Sequence, residues 1–142
     1  MSVEQVARDF ATQFFVVEKT RARITPDAMV SGGVLPQPVP ATEALKIVSG
    51  LAAAMPDIKT DVTQLTVNGN QATVKLRWSG TQTAPLSLPV PGMPTVPATG
   101  KKVSVMDGFN LTIEGDKVSR MVVESPDDGG IPGALAQMGV KM

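Results

Sequence analysis

"VSVMDGFNLTI", residues 103–113, decides the fold. Its odd positions are Val103, Val105, Asp107, Phe109, Leu111 and Ile113, and its even positions are Ser104, Met106, Gly108, Asn110 and Thr112. Side chains on a β-strand alternate between two faces, so this period-two pattern predicts a strand with one apolar face. Asp107 shares that face with five apolar residues. A carboxylate in such company pairs, accepts several hydrogen bonds, or keeps its proton. It is therefore either a satisfied structural group or a site.

The stretch beyond it offers two partners. "EGD" (114–116) is a turn, and 117–125 reads as a last strand. A two-residue Gly115-Asp116 turn places Glu124 opposite Asp107. A three-residue turn places Val123 there. In the first case two carboxyls share a face.

Upstream, "NGN" (68–70) is a strong hairpin turn signal between strands over 58–67 and 71–84. Ala72, Val74, Leu76 and Trp78 make one apolar face, and Lys75 and Arg77 point the other way. Arg77 is expected on the outer sheet face. Five prolines between Pro85 and Pro97 keep residues 85–99 out of a sheet interior.

The first half reads as helical. Val3, Val6, Ala7, Phe10, Phe14 and Val17 draw one stripe and predict a helix over 3–17, with Ser2 and Gln5 as a capping box. Residues 25–40 carry four prolines and two glycines, so a short apolar segment followed by a loop is expected. A second helix over 41–54 is marked by Leu45, Val48 and Leu51, capped by Thr42 and ended by Pro56. A short helix over 132–139 begins near Pro132 and stops at Gly139. Helices first and antiparallel strands after them indicate a single α+β domain over 1–142. A strongly curved sheet wrapped around the first helix leaves a pocket between them.

The composition removes whole classes of chemistry. The 142 residues are 42% apolar and 18% charged, a globular profile. Basic and acidic residues number 13 each and form no basic run, so nucleic acid and anionic membranes are not expected partners. There is no Cys, His or Tyr. Thiol nucleophiles, Ser-His-Asp triads, His general bases and His or Cys metal ligands are thereby excluded. Acid–base chemistry must come from Asp, Glu, Lys or water, and neither a metal nor a cofactor is expected. "MSVEQVARDF" has no signal-peptide pattern, and no apolar run approaches a membrane span, so a cytoplasmic protein is expected.

Several stretches resemble the SnoaL-like polyketide cyclases of the nuclear transport factor 2-like superfamily, in that family's order. They are "LAAAMPDIKTDV" (51–62), "VNGNQATVKLRWSGTQTAPL" (67–86), "PATGKKVSV" (97–105), "GDKVSRMVVESPDD" and "GALAQMGV". The resemblance covers about residues 25–142. It implies a conical α+β barrel of strongly curved antiparallel sheet around N-terminal helices, a deep apolar pocket, and a homodimer formed through the outer sheet. It implies an apolar small-molecule ligand and chemistry of the isomerase or cyclase kind.

The sequence departs from the family at informative places. The family's His in its Gly-Thr-His-Thr segment is Gln82, and its closing-strand Trp has no counterpart. The family's catalytic Asp matches Asp127 or Asp128. The related ketosteroid isomerases carry an Asp-x-Phe at Asp107, where the Asp is a proton-donating member of an oxyanion hole. Their Tyr donor falls near Phe14 or Phe15 and their Asp base near Gly32 or Gly33. Limonene-type epoxide hydrolases need Arg-x-Asp where this chain has Arg77-Trp78-Ser79.

Two readings follow. One is a small-molecule enzyme, of aldol cyclisation or double-bond migration type. Asp107 is then the acid or base and Asp127 the alternative base, in a pocket shaped by Phe14, Met29, Trp78, Phe109 and Met121. The other is a non-catalytic ligand-binding or dimerisation module of the same fold. For Asp127 and Asp128 the plainer reading is a solvated turn, and for Trp78 plain packing.

Overall fold

The computed structural model describes residues 2–33, 35–90, 93 and 95–140. Among these described residues four helices and six strands follow in the order α1 (Val3–Thr12), α2 (Val17–Arg21), β1 (Ile24–Gly32), β2 (Val39–Pro40), α3 (Ala41–Ala54), β3 (Lys59–Asn68), β4 (Gln71–Thr81), β5 (Lys102–Glu114), β6 (Lys117–Val123) and α4 (Gly130–Gln137). The strands form one sheet in the order β2-β1-β6-β5-β4-β3. Its inner face packs on α1, which touches β3, β4, β5 and β6, and α4 covers part of β5.

The phase of β5 is as the sequence predicts. Val103, Val105, Asp107, Phe109, Leu111 and Ile113 are all buried. From the neighbouring strand Ala72, Val74, Leu76 and Trp78 join them on the inner face. Burying one such large apolar side chain contributes about 1.5–3 kcal/mol as an upper figure. Gly108 lies between two of these positions because the chain needs it there. A Cβ would stand 2.7 Å from the Glu124 carbonyl oxygen, too close for any side chain.

Three elements depart from expectation. The helix expected over 3–17 breaks after Thr12 and resumes at Val17. The Thr20 hydroxyl donates to the Phe14 carbonyl at 2.7 Å, within reach of that of Gln13, and so serves the carbonyls the break frees. The break lets the adjacent Phe14 and Phe15 both turn inward, which a regular helix does not allow. Second, the short extended segment is a nine-residue strand, β1, parallel to β6, so the sheet is not wholly antiparallel. The irregularity between Ile24 and Met29, around Pro26, hid its period. Third, α3 starts at Ala41 after Pro40, so Thr42 lies inside the helix and does not cap it. At α1, Ser2 Oγ does accept from Gln5 N, while the Gln5 side chain turns to Asp9.

The proline-rich segment after β4 is pinned by Gln82, which is fully buried. Its Nε2 donates to the Val96 and Pro97 carbonyls, and its Oε1 accepts from Thr99 Oγ1 at 2.6 Å. Leu86 and Val96 exchange backbone hydrogen bonds at 2.8 Å, drawing the segment into a loop whose leucines pack on α3. No helix among the described residues is long and apolar enough to cross a membrane.

Candidate functional site

A cavity lies between the inner sheet face, the α1–α2 break and α3. Its volume is about 90 Å³, room for a small organic molecule or several waters. The walls are apolar, and Asp107 is the only ionisable residue among the described residues that line it.

Asp107 is 8% exposed, and three donors converge on its carboxylate. Oδ2 accepts from Trp78 Nε1 at 3.1 Å. Oδ1 accepts from its neighbour Gly108 N at 2.9 Å and from Ser125 Oγ at 2.8 Å. The indole and the amide can only donate, so the set suits an acceptor. A carboxylate has about four lone-pair positions, and three are filled. The unused one is on Oδ2.

Each partner is held by a local feature. Leu76 faces Asp107 across the β4–β5 ladder, so Trp78, two residues on, is its diagonal neighbour on the same face. Ser125 arrives by a route neither turn alternative contained. The β5–β6 turn is the two-residue one, pairing Glu114 with Lys117 and Ile113 with Val118. The register then slips by one at Ser119, so Thr112 faces Arg120 and Phe109 faces Val123. Continued in that register, Ser125 falls opposite Asp107. Glu124 is exposed, accepting from Asn110 Nδ2 at 2.6 Å. The pattern held a signal for this bulge. Val118 and Met121 are both apolar and both buried, and residues three apart cannot share a face of an unbulged strand.

The five residues expected to shape the pocket, Phe14, Met29, Trp78, Phe109 and Met121, all line this cavity. Phe10, Phe15, Ser125 and Ile131 line it as well, and the sequence reading did not name them as site residues. Asp127 and Asp128 lie exposed in the turn before α4 and do not line it. Gln82 and Arg77 do not line it either; Arg77 bonds Ser104 on the outer face. Gly32 and Gly33 do, with φ of 88° and 60°. A Cβ on Gly32 would run into the Val123 carbonyl, so no side-chain base fits there as the chain stands.

A curved sheet closed by helices over an apolar cavity, with one carboxylate at its wall, defines a pocket domain of the nuclear transport factor 2-like fold. The profile of the SnoaL-like domain matches residues 4–121, and the chain belongs to that family. No curated protein sequence matches it. Among solved structures, a protein of Jannaschia sp. CCS1 with the working assignment of SnoaL-like polyketide cyclase is 19% identical, with TM-score 0.74 over 97% of this chain and 92% of that one. IdmH of Streptomyces antibioticus, with the working assignment of polyketide cyclase, is 18% identical, with TM-score 0.74 over 99% and 100%. A protein of Catenulispora acidiphila with a ketosteroid isomerase-like fold, solved in complex with trimethylamine, is 11% identical, with TM-score 0.67 over 96% and 93%. At these identities the likeness is one of fold.

Proposed function

We propose that the protein is a small-molecule enzyme in which Asp107 accepts a proton from carbon beside a carbonyl group, on a cyclic substrate held in the apolar cavity. The reaction class is double-bond migration or aldol-type ring closure. One observation carries this reading: the single carboxylate that lines the cavity among the described residues is fixed by three donors and keeps one Oδ2 lone pair unused. A positioned carboxylate of this kind can act as a general base. Asp127, the alternative base of the sequence reading, lies exposed outside the cavity and has no part in this proposal. The family's solved relatives with working assignments as polyketide cyclases fit the same substrate class.

The test is hydrogen exchange. A panel of cyclic ketones, neutral and ammonium-bearing, is incubated with the protein in D₂O, and loss of the α-proton signal is followed by NMR. Exchange above the buffer rate is expected, falling by about a hundredfold or more in Asp107→Asn. No exchange with any ketone, or equal exchange by the variant, overturns the proposal. A second reading, a binding module without catalysis, is favoured by the absence of a second acid–base side chain in the cavity among the described residues.

A further inference from the structure

We infer that the cavity takes an organic cation, so that the substrate carries its own positive charge near the carbonyl group. The inference rests on the reading of Asp107 as the proton acceptor and names the substrate class for it.

Three observations converge. First, the charge of Asp107 is not cancelled by the protein. Its partners are an indole, an amide and a hydroxyl, all neutral, and no Lys or Arg lines the cavity among the described residues. Neutral donors spread a buried negative charge without removing it, and an opposite charge is the remaining compensation.

Second, every aromatic side chain of the protein lines this one cavity: the four phenylalanines and the single tryptophan. Phe14 is the hub, with ring centroids 5.6 Å from Phe10, 5.2 Å from Phe15 and 4.9 Å from Phe109. Phe15 lies 5.6 Å from Trp78. Aromatic faces carry negative potential and attract cations.

Third, the side-chain donors are spent. The Trp78 indole and Ser125 hydroxyl are committed to Asp107, and the Thr20 hydroxyl to the Phe14 carbonyl. Among the described residues these are the side-chain donors of the cavity wall, and none has a proton left for an enolate oxygen.

The charge balance then selects the substrate. In the proton-transfer step a C–H bond breaks, an O–H bond forms on Asp107, and the electron pair moves to the carbonyl oxygen. With a neutral substrate one negative charge passes from a carboxylate held by three donors to an oxygen whose one side-chain donor is the acid just formed. With an ammonium-bearing substrate the cavity is neutral before the step and neutral after it.

Binding of charge-matched probes tests this, read by the fluorescence of Trp78, the protein's one tryptophan. The probes are benzyltrimethylammonium, its carbon isostere neopentylbenzene, and phenylacetate. The cation is expected to bind about tenfold tighter than either of the others. The preference should vanish in Asp107→Asn and shrink in Phe14→Leu. Equal or tighter binding of neopentylbenzene or phenylacetate to the native protein overturns the inference, as does no binding of the cation up to about 10 mM. The native comparison decides even where a variant fails to fold. Exchange on neutral ketones with no preference for the cation would sink this inference and leave the proton-acceptor reading standing.

Discussion

Trp78 Nε1 donates to Asp107 Oδ2 at 3.1 Å across a diagonal of the β4–β5 ladder. The bond joins a fully packed indole to the one carboxylate of the cavity, so packing and chemistry meet in it. Trp78→Phe keeps a ring in place and removes the donor. The expected cost is about 1–3 kcal/mol, because a buried acceptor loses a partner. Hydrogen exchange should fall about tenfold as Asp107 loses its orientation. Urea unfolding and the NMR assay measure the two effects; a variant with native stability and native exchange would contradict the role assigned to the bond.

The bulge at Ser119 sets which residue faces Asp107. Deleting Ser119 removes the extra residue and leaves the pairing on both sides of it unchanged: Val118 still faces Ile113, Met121 still faces Leu111, and Ser125 still falls opposite Asp107. The deletion variant should therefore unfold cooperatively and keep ketone exchange, and loss of either would show that the bulge does more than set the register. Ser125→Ala should keep the fold and lose about tenfold in exchange, the scale of one hydrogen bond to a charged group. Full activity in Ser125→Ala would show that the hydroxyl is incidental.

Gln82 occupies the family's His position, yet its bonds go to the proline-rich loop and not to the cavity. Gln82→Ala is expected to destabilise by about 1–3 kcal/mol while leaving ketone exchange unchanged per folded molecule. A selective loss of exchange with stability intact would return Gln82 to the chemistry.

Asp57 makes stability pH-dependent. Its Oδ1 accepts from Thr81 N at 2.7 Å, and that backbone bond chiefly holds its carboxyl below the usual value of 3.8. A carboxyl depressed in the folded state contributes stability that is present above its unfolded pKa and is lost as pH falls through the folded one. The loss therefore belongs below about pH 4. Between pH 5 and pH 3, roughly the span over which such a group titrates, the native protein should lose more melting temperature than Asp57→Asn. Parallel melting curves for the two would exclude this contribution.

The inner faces of β4 and β5 were legible because both alternate without interruption. Asp107 stood out for the same reason. Its partners were less legible. Trp78 could be placed on the inner face but not joined to Asp107 without the register between strands. Ser125 required the bulge, whose signal, the Val118–Met121 spacing, is only two residues long. β1 was only partly legible, since Pro26 interrupts its pattern and its partner β6 lies far along the chain. The helix break was hidden because Phe14 and Val17 extend the apolar stripe of α1 through it.

The parallel pairing of β1 with β6 sets an order of assembly. Ile24 meets Val118, and Gly32 meets Val123, across most of the chain. The β3–β4 and β4–β5 ladders join nearer neighbours and close smaller loops, so they can form while β1 still lacks β6. During synthesis β1 must wait until β6 has emerged. Until then β1 has only the two-residue β2 beside it, and nascent chains that stall before Lys117 are the ones most exposed to aggregation.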